Sequence, residues 1–436
     1  MLISNANLLA TLLDARDSVK AHLGREYSSE YYDRRLGVVW DRAREAKAYR
    51  HLPEYEFVTF GEQPLTAKED IKETPWDFIV ADPANVAKYY ETTGTTGRVT
   101  PTPRTADDII WNTVAVAEAW REVLRDDDRV AILLPSDVVP VADLIAGVCE
   151  YRGIPHTRNY PFTTGISDWD RLLGLWDAFR PTVLFAAPGV VLQLSRLLQN
   201  RGVLQSVSEQ IRAIMLLGEV STPALRERLG SWWEAAVFDA SYGSTETGTL
   251  AVACGQGQQH LMTATNYFEL ATEAGVSALD SVSSGTLVVT PLNLFARPLL
   301  RLDTGDEVSV DRGCLCGNLA PTVTVHGRKS DAIAVAGHAL DIRSVENIVY
   351  GATAATGYLI EVAADGSKAR ILLERRRSAD SHDDAEQLTE LHRRSKHALG
   401  IAWSEALFVN TLPITTKSGG SQKSWKRSNI RVVEGL

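Results

Sequence analysis

Four short apolar runs, separated by stretches with helical spacing, constrain the fold of this chain more than any other feature. DRVAILL (Asp128 to Leu134), RPTVLFAA (Arg180 to Ala187), IRAIMLLG (Ile211 to Gly218) and AAVFDASYG (Ala235 to Gly243) read as buried strands. Between them VADLIAGVCEY, DWDRLLGLWDAF and TPALRERLGSWWE carry apolar residues at helical intervals. Strands that alternate with helices imply a parallel sheet with helices covering it. Ligands in such folds sit beyond the carboxyl ends of the strands, so the turns that follow the strands are where chemistry is expected.

A chain of 436 residues exceeds what one ordinary hydrophobic core organises. Past Gly327 the pattern changes to a short series of DAIAVAG, DIRSVENIVY, GYLIEVA, ARILLE, DAEQLTELHRRSKHAL and ALFVN, the scale of a small separate domain. The expected fold class is therefore α/β. A large N-terminal domain (residues 1–329) with mixed or parallel sheets and covering helices precedes a small, mobile α+β C-terminal domain (residues 330–436).

The net charge of −10 argues against a general surface for nucleic acid or acidic membrane, so any anion site has to be local. The opening MLISNANLLATLLDARDSVK has no basic start and reads as an amphipathic helix rather than a signal peptide. No apolar run is long enough to span a bilayer. Four cysteines in so long a chain do not make a disulfide framework, which fits a reducing cytoplasm.

Four short stretches carry candidate chemistry. YYETTGTTGRVTPTPR lies between the extended run NVAKYY and the helical pattern ADDIIWNTVAVAEAW. Gly94 and Gly97 free the backbone, Thr92, Thr93, Thr95 and Thr96 supply hydroxyls, and the turn supplies N–H donors that can cradle a polyphosphate. The GxxxxGK[ST] spacing of a Walker loop is absent, and such a Thr/Gly turn is by itself more often a plain loop. In SYGSTETGTL, Glu246 can hold magnesium together with substrate phosphates; otherwise the stretch is a helix start capped by Ser244 or Thr245. In RLDTGDEV, Asp306 is either an acceptor for both hydroxyls of a ribose or a turn aspartate. HGRKSD offers Arg328 to a nucleotide and Ser330 as a hinge. The tail LPITTKSGGSQKSWKRSN is basic and rich in Gly and Ser, either a disordered end or a mobile loop that carries a functional lysine.

Taken in order, TTGTTGR, SYGSTETG, DTGD, GRKSD and a lysine-bearing C-terminal loop resemble the adenylate-forming superfamily of acyl-CoA synthetases, luciferases and peptide-synthetase adenylation domains. LTAKEDIKE, FRPTVLFAAPGVVLQL, LLGEVSTPALRERL and GCLCGN, with the short total length, are similar more narrowly to the phenylacetate-CoA ligase family. The resemblance implies an enzyme in which ATP adenylates a small carboxylic acid, by family expectation an aryl or arylacetic acid, before the acyl group passes to the thiol of CoA or of an acyl carrier protein's phosphopantetheine. It implies that Thr92, Thr93, Gly94, Thr95, Thr96 and Gly97 bind phosphate and that Glu246 holds Mg2+, with Thr245 beside it in the catalytic set. Asp306 would take the ribose, Arg328 the ribose or phosphate edge, and Gly218, Glu219, Ser241, Tyr242 and Gly243 would frame the adenine and acyl pocket. The catalytic lysine falls on Lys423, with Lys417 as the competing candidate, and residues 336–339 would form the thiol-delivery face.

Arg98-Val99 stands where the family usually has Lys-Pro, Ala334 where many relatives keep a lysine, and His338 where arginine or asparagine is usual. An amine acceptor is the alternative that Ala334 and His338 leave open, and a catalytically weak nucleotide-binding relative is another. A homodimer is a further possibility.

Cys314 and Cys316, spaced CxC, together with Cys254 and His260, spaced C-x5-H, make three thiolates and an imidazole, a closed set suited to structural zinc. The plain alternative is buried cysteines and a surface histidine. Cys149, in an apolar helical pattern, reads as core.

Overall fold

The apolar runs form strands where the sequence puts them, at Val130–Leu133, Val183–Ala186, Ala213–Leu216 and Ala236–Asp239. Every residue of the first three is buried, as strands covered on both faces require. In the computed structural model, residues 5–25, 28–92, 99–163, 165–219, 221–328, 333–375, 383–413, 429–434 and 436 are described. They pack as two compact units, one of Met1–Arg158 with Asp239–Gly327, the other of Asn159–Phe238 with Arg328–Leu436.

In the first unit Val130–Leu133 pairs in parallel with His156–Arg158 across the helix Val141–Arg152. That helix ends on Gly153, whose φ of 71° is the left-handed conformation that lets a chain leave a helix without a Cβ penalty. The helix buries Cys149, and burial pushes its thiol up to about 12, so this cysteine is a core residue.

The unit also holds an eight-stranded antiparallel sheet built from Ser241 to Gly327. Its long strand, Leu302–Asp311, lies between Ser284–Pro291 and Thr322–Gly327. Trp40, Phe60, Ile71, Phe268 and Leu302 fill one core with it. Each such buried side chain contributes about 2–3 kcal/mol by leaving water. Arg301, at a φ of 46°, makes a two-pronged pair with Glu269, both N···O distances 3.0 Å, and also donates to the carbonyls of Gly61 and Gln63. Burial pushes the Glu269 carboxyl up while Arg301 opposes it, so the charged pair rests on this geometry.

The Thr/Gly stretch does not join a strand directly to a helix. Lys88–Glu91 pairs antiparallel with Pro101–Arg104, so the stretch lies in sequence between two paired strands. Two prolines conceal the second strand from a sequence reading. A two-stranded ribbon tolerates them because its outer edge needs no N–H donors. The helix Ala106–Ala119 starts only after it, on a capping box in which Thr105 and Asp108 satisfy each other's backbone N–H groups.

In the second unit Val183–Ala186 and Ala213–Leu216 pair in parallel, with the helix Pro188–Arg201 between them in sequence. Residues from Arg328 onward add a four-stranded sheet in which Gly357–Ala363 pairs antiparallel with Ala369–Glu374 and parallel with Ile430–Val433. Arg228 donates to the carbonyls of Tyr350 (2.6 Å), Thr353 and Ala355 (3.1 Å), closing the C-terminal end of the helix Ile342–Ala352. Arg196 pairs with Glu374 at 2.5 Å, and the buried Glu346 accepts from the Thr222 N–H at 3.2 Å. Burial pushes Glu346 up to about 7, against its hydrogen bonds from Thr222. No helix among the described residues is long and apolar enough to cross a membrane.

Candidate functional site

Glu246 sits at the tip of a β-hairpin. Ser241–Ser244 pairs antiparallel with Gly248–Ala253, with a register shift at Tyr242 and Gly243. Two hydroxyls close the turn: Ser244 Oγ accepts from the Thr247 N–H at 3.2 Å, and Thr247 Oγ1 accepts from the Ser244 N–H at 3.3 Å. Gly243 is required, because a Cβ there would lie 2.2 Å from the Gly248 carbonyl oxygen. The helix-start alternative is thereby corrected: Ser244 does cap, but it caps a turn between strands. Thr245 and Glu246 are left half-buried at the tip.

Two other motifs reach this hairpin within the same unit. The Tyr242 hydroxyl donates to Asp306 Oδ2 at 2.7 Å, and the Asp306 N–H donates to Thr304 Oγ1 at 3.2 Å. Asp306 lies within the strand Leu302–Asp311 and not in a turn, and its carboxylate is thus aimed by the residue next to Ser241. From the other side Arg104 Nη2 donates to the carbonyls of Thr245 (2.7 Å) and Glu246 (3.0 Å). Arg104 ends the strand that returns from the Thr/Gly turn. The neck of that turn is a Thr92–Thr100 pair, in which the Thr92 N–H donates to the Thr100 carbonyl (3.1 Å) and the Thr100 N–H to Thr92 Oγ1 (2.9 Å). Thr93, Gly94, Thr95, Thr96 and Gly97 lie outside the described residues.

The remaining candidates belong to the second unit. Gly218 follows the strand Ala213–Leu216 at a φ of 84°, and Glu219 accepts from the Gly189 N–H at 3.4 Å. Arg328 is exposed. Ile333–Val335 and His338–Leu340 form a short antiparallel hairpin across Ala336, which holds a φ of 49°. Ser330, Lys417 and Lys423 lie outside the described residues.

The cysteines and histidine converge. One ligand atom from each of Cys254, His260, Cys314 and Cys316 lies within 4.8 Å of every other. Cys254 Sγ and Cys314 Sγ are 3.8 Å apart, too far for a disulfide and equal to the ~3.8 Å edge of a tetrahedron with zinc–sulfur bonds of ~2.3 Å. Cys316 Sγ is 3.3 Å from His260 Nε2. His260 is 3 % exposed, because its strand Gln259–Leu261 runs inside the sheet between Val252 and Thr322. A surface histidine is therefore excluded. Its Nδ1 faces the Ala320 carbonyl at 2.7 Å, which can only accept, so Nε2 carries the lone pair that faces the thiols. Burial holds this imidazole below its ordinary range, neutral and able to ligate.

Arg104 is the site's buried residue that the sequence does not mark: nothing in the spacing of PTPR tells that its arginine points inward.

The sequence matches the family model described as AMP-binding enzyme over residues 41–268, more than half of its 436 residues. No curated protein is similar enough in sequence to count as a match. Among solved structures, 2-hydroxyisobutyryl-CoA ligase in the postadenylation state with 2-HIB-AMP aligns at a TM-score of 0.73 and 17 % identity, covering 98 % of this chain and 89 % of that one. The same ligase with 2-HIB-AMP and CoA in the thioesterification state aligns at 0.59 and 18 %, with 98 % and 89 % covered. O-succinylbenzoate coenzyme A synthetase from Bacillus subtilis, in complex with AMP, aligns at 0.51 and 18 %, with 78 % and 68 % covered. At these identities the likeness is one of fold. By the match to the family model, and with a fold shared with acyl-CoA ligases, the chain belongs to the AMP-binding enzyme family.

Proposed function

We propose that the protein adenylates a small carboxylic acid with ATP and passes the acyl group to the thiol of CoA or of a carrier-protein phosphopantetheine. The observation that carries this reading is the meeting of three motifs in one unit: Arg104 ties the strand Pro101–Arg104 to the Glu246 hairpin, and Tyr242 ties the Glu246 hairpin to Asp306. In the first step a carboxylate oxygen attacks the α-phosphorus, the bond to the bridging oxygen breaks, and pyrophosphate leaves. In the second a thiolate attacks the acyl carbonyl and AMP leaves. Negative charge shifts among phosphoryl oxygens in the first step, so fixed donors and cations are what accelerate it.

The Thr/Gly turn would hold the β- and γ-phosphates, Asp306 the ribose hydroxyls, and Gly218, Glu219, Ser241, Tyr242 and Gly243 the adenine and acyl group. Glu246 would hold magnesium, which neutralises phosphate charge when bound. Lys423, from the C-terminal loop, would reach the α-phosphate, and residues 330–436 would act as the mobile small domain. The aryl or arylacetic acid follows from the phenylacetate-CoA ligase-like stretches of the sequence. CoA is favoured as acceptor by the CoA present beside the acyl-adenylate in the solved 2-hydroxyisobutyryl-CoA ligase. Incubation with ATP, Mg2+, CoA and a panel of aryl and short aliphatic acids should release AMP and acyl-CoA in equal amounts for at least one acid. Product with an amine but with no thiol would transfer the reading to an amide-forming ligase.

The same reading gives the Cys254, His260, Cys314 and Cys316 cluster a structural zinc, since a closed four-ligand set leaves no position for substrate. It would staple the loop between the strand of Asp306 and the strand Thr322–Gly327. Metal analysis of protein purified without chelator should find about one zinc per chain. Cys314→Ser should lose most of it and melt roughly 5–10 °C lower. A zinc-free wild type of equal stability contradicts the assignment.

A further inference from the structure

Two buried arginines lie where the hairpin motifs meet, and the motifs do not account for either. Arg104 is 7 % exposed and Arg297 is fully buried. Arg104 spans the gap to the glutamate turn through the two carbonyl bonds already described. Arg297 holds the hairpin strand from behind, its Nη1 donating to the Pro101 carbonyl (2.9 Å) and its Nη2 to Thr102 Oγ1 (3.2 Å). Among the described residues Arg104 Nη1, Arg297 Nε and Thr100 Oγ1 have no hydrogen-bond partner.

This arrangement is expensive as plain architecture. Burial lowers both guanidinium groups, and Arg104 lowers Arg297 further, to about 10, while Glu246 and Asp108 oppose. Among the described residues Asp108 is a fully buried carboxylate beside them, and it already accepts from the N–H groups of Thr105, Phe295 and Ala296. An apolar pair of similar volume would carry neither the like-charge repulsion nor the unmade hydrogen bonds. What an apolar pair lacks is a rigid connection between two backbone segments, made through carbonyl oxygens that only a donor can hold.

We propose that Arg104 is a positioning residue for adenylation, clamping the backbone of the Glu246 turn to the strand Pro101–Arg104 so that the metal-binding carboxylate is held in one place, with Arg297 bracing that strand. The proposal rests on the reading of Glu246 and the Thr/Gly turn given under the proposed function. Its chemistry is indirect: Arg104 acts through the Thr245 and Glu246 carbonyls, removing freedom from the carboxylate they carry, a freedom that costs rate steeply when reacting groups drift by an ångström.

The test is acid-dependent exchange of labelled pyrophosphate into ATP, titrated with Mg2+, for Arg104→Gln, Arg104→Lys and Glu246→Gln. Each variant is assayed in parallel for conversion of chemically prepared acyl-adenylate to thioester. Arg104→Gln should raise the half-saturating Mg2+ concentration about tenfold or more. It should leave conversion of the preformed adenylate within about twofold of wild type. Arg104→Lys, which keeps donors on a compact head but not the planar fork, should raise the Mg2+ requirement by about threefold. Because it retains the buried charge, it keeps the question answerable should the glutamine variant fail to fold. An unchanged Mg2+ requirement in Arg104→Lys and in any folded Arg104→Gln overturns the proposal, as does a parallel fall of both half-reactions with the melting temperature. A normal Mg2+ requirement in Glu246→Gln overturns the metal reading beneath it. A raised requirement there with normal Arg104 variants overturns the clamp alone.

Discussion

Glu246→Gln should lower acid-dependent pyrophosphate exchange about 100-fold or more, with the fold unchanged. The turn that presents Glu246 is held by Ser244, Thr247 and the two carbonyl bonds from Arg104, none of which uses the Glu246 carboxylate. Glutamine keeps the shape and removes the charge that a hard cation needs. The carboxylate also faces two buried guanidinium groups, so a small loss of stability is expected, within about 1 kcal/mol for a half-exposed tip. Circular dichroism and melting should therefore match wild type closely while exchange collapses. Exchange at the normal rate means that Glu246 holds no catalytic metal.

Lys423→Ala should abolish exchange, by about 100- to 1,000-fold, while chemically prepared acyl-adenylate still becomes product. A cation brought to the α-phosphate eases the charge that shifts there as pyrophosphate leaves. AMP also takes up charge when the thiol displaces it, so the two steps separate only because, in the proposed function, the mobile small domain would present the lysine for the first step and not for the second. SQKSWKR keeps the small-residue approach and the basic pair expected by resemblance after the family's lysine, and the Gly-Ser segment ahead of it would account for the added spacing. Lys417→Ala should be mild in both assays. The reverse pattern moves the assignment to Lys417, and no effect from either lysine leaves the reaction without this cation.

The parallel strands are legible in the sequence because a strand covered on both faces is apolar at every position, as VAIL, VLFA and AIML are. The antiparallel sheet is not, because strands such as LDTGDEVSVD alternate burial while Gly305 and the bulge beside it interrupt the period. The hairpin nature of the Thr/Gly stretch is hidden by Pro101 and Pro103, which ordinarily argue against a strand. For the cluster of three cysteines and a histidine the residue types and their spacing are readable, whereas the burial of His260 depends on strands contributed from beyond its own neighbourhood. Arg104 is invisible for the same reason, since its partners are carbonyl groups of Thr245 and Glu246, more than a hundred residues further along the chain. A carbonyl has no residue type by which a sequence could announce it.

Exchange of labelled pyrophosphate into ATP, run with Mg2+ across a library of carboxylic acids and without any acceptor, tests the central claim most directly. Adenylation is reversible before the acyl group leaves, so the account predicts label in ATP that appears only when both Mg2+ and a suitable acid are present, and that disappears in Glu246→Gln. ATP binding with no acid-dependent exchange across aryl, arylacetic and short aliphatic acids would contradict it and leave a nucleotide-binding protein in place of an acid-activating enzyme.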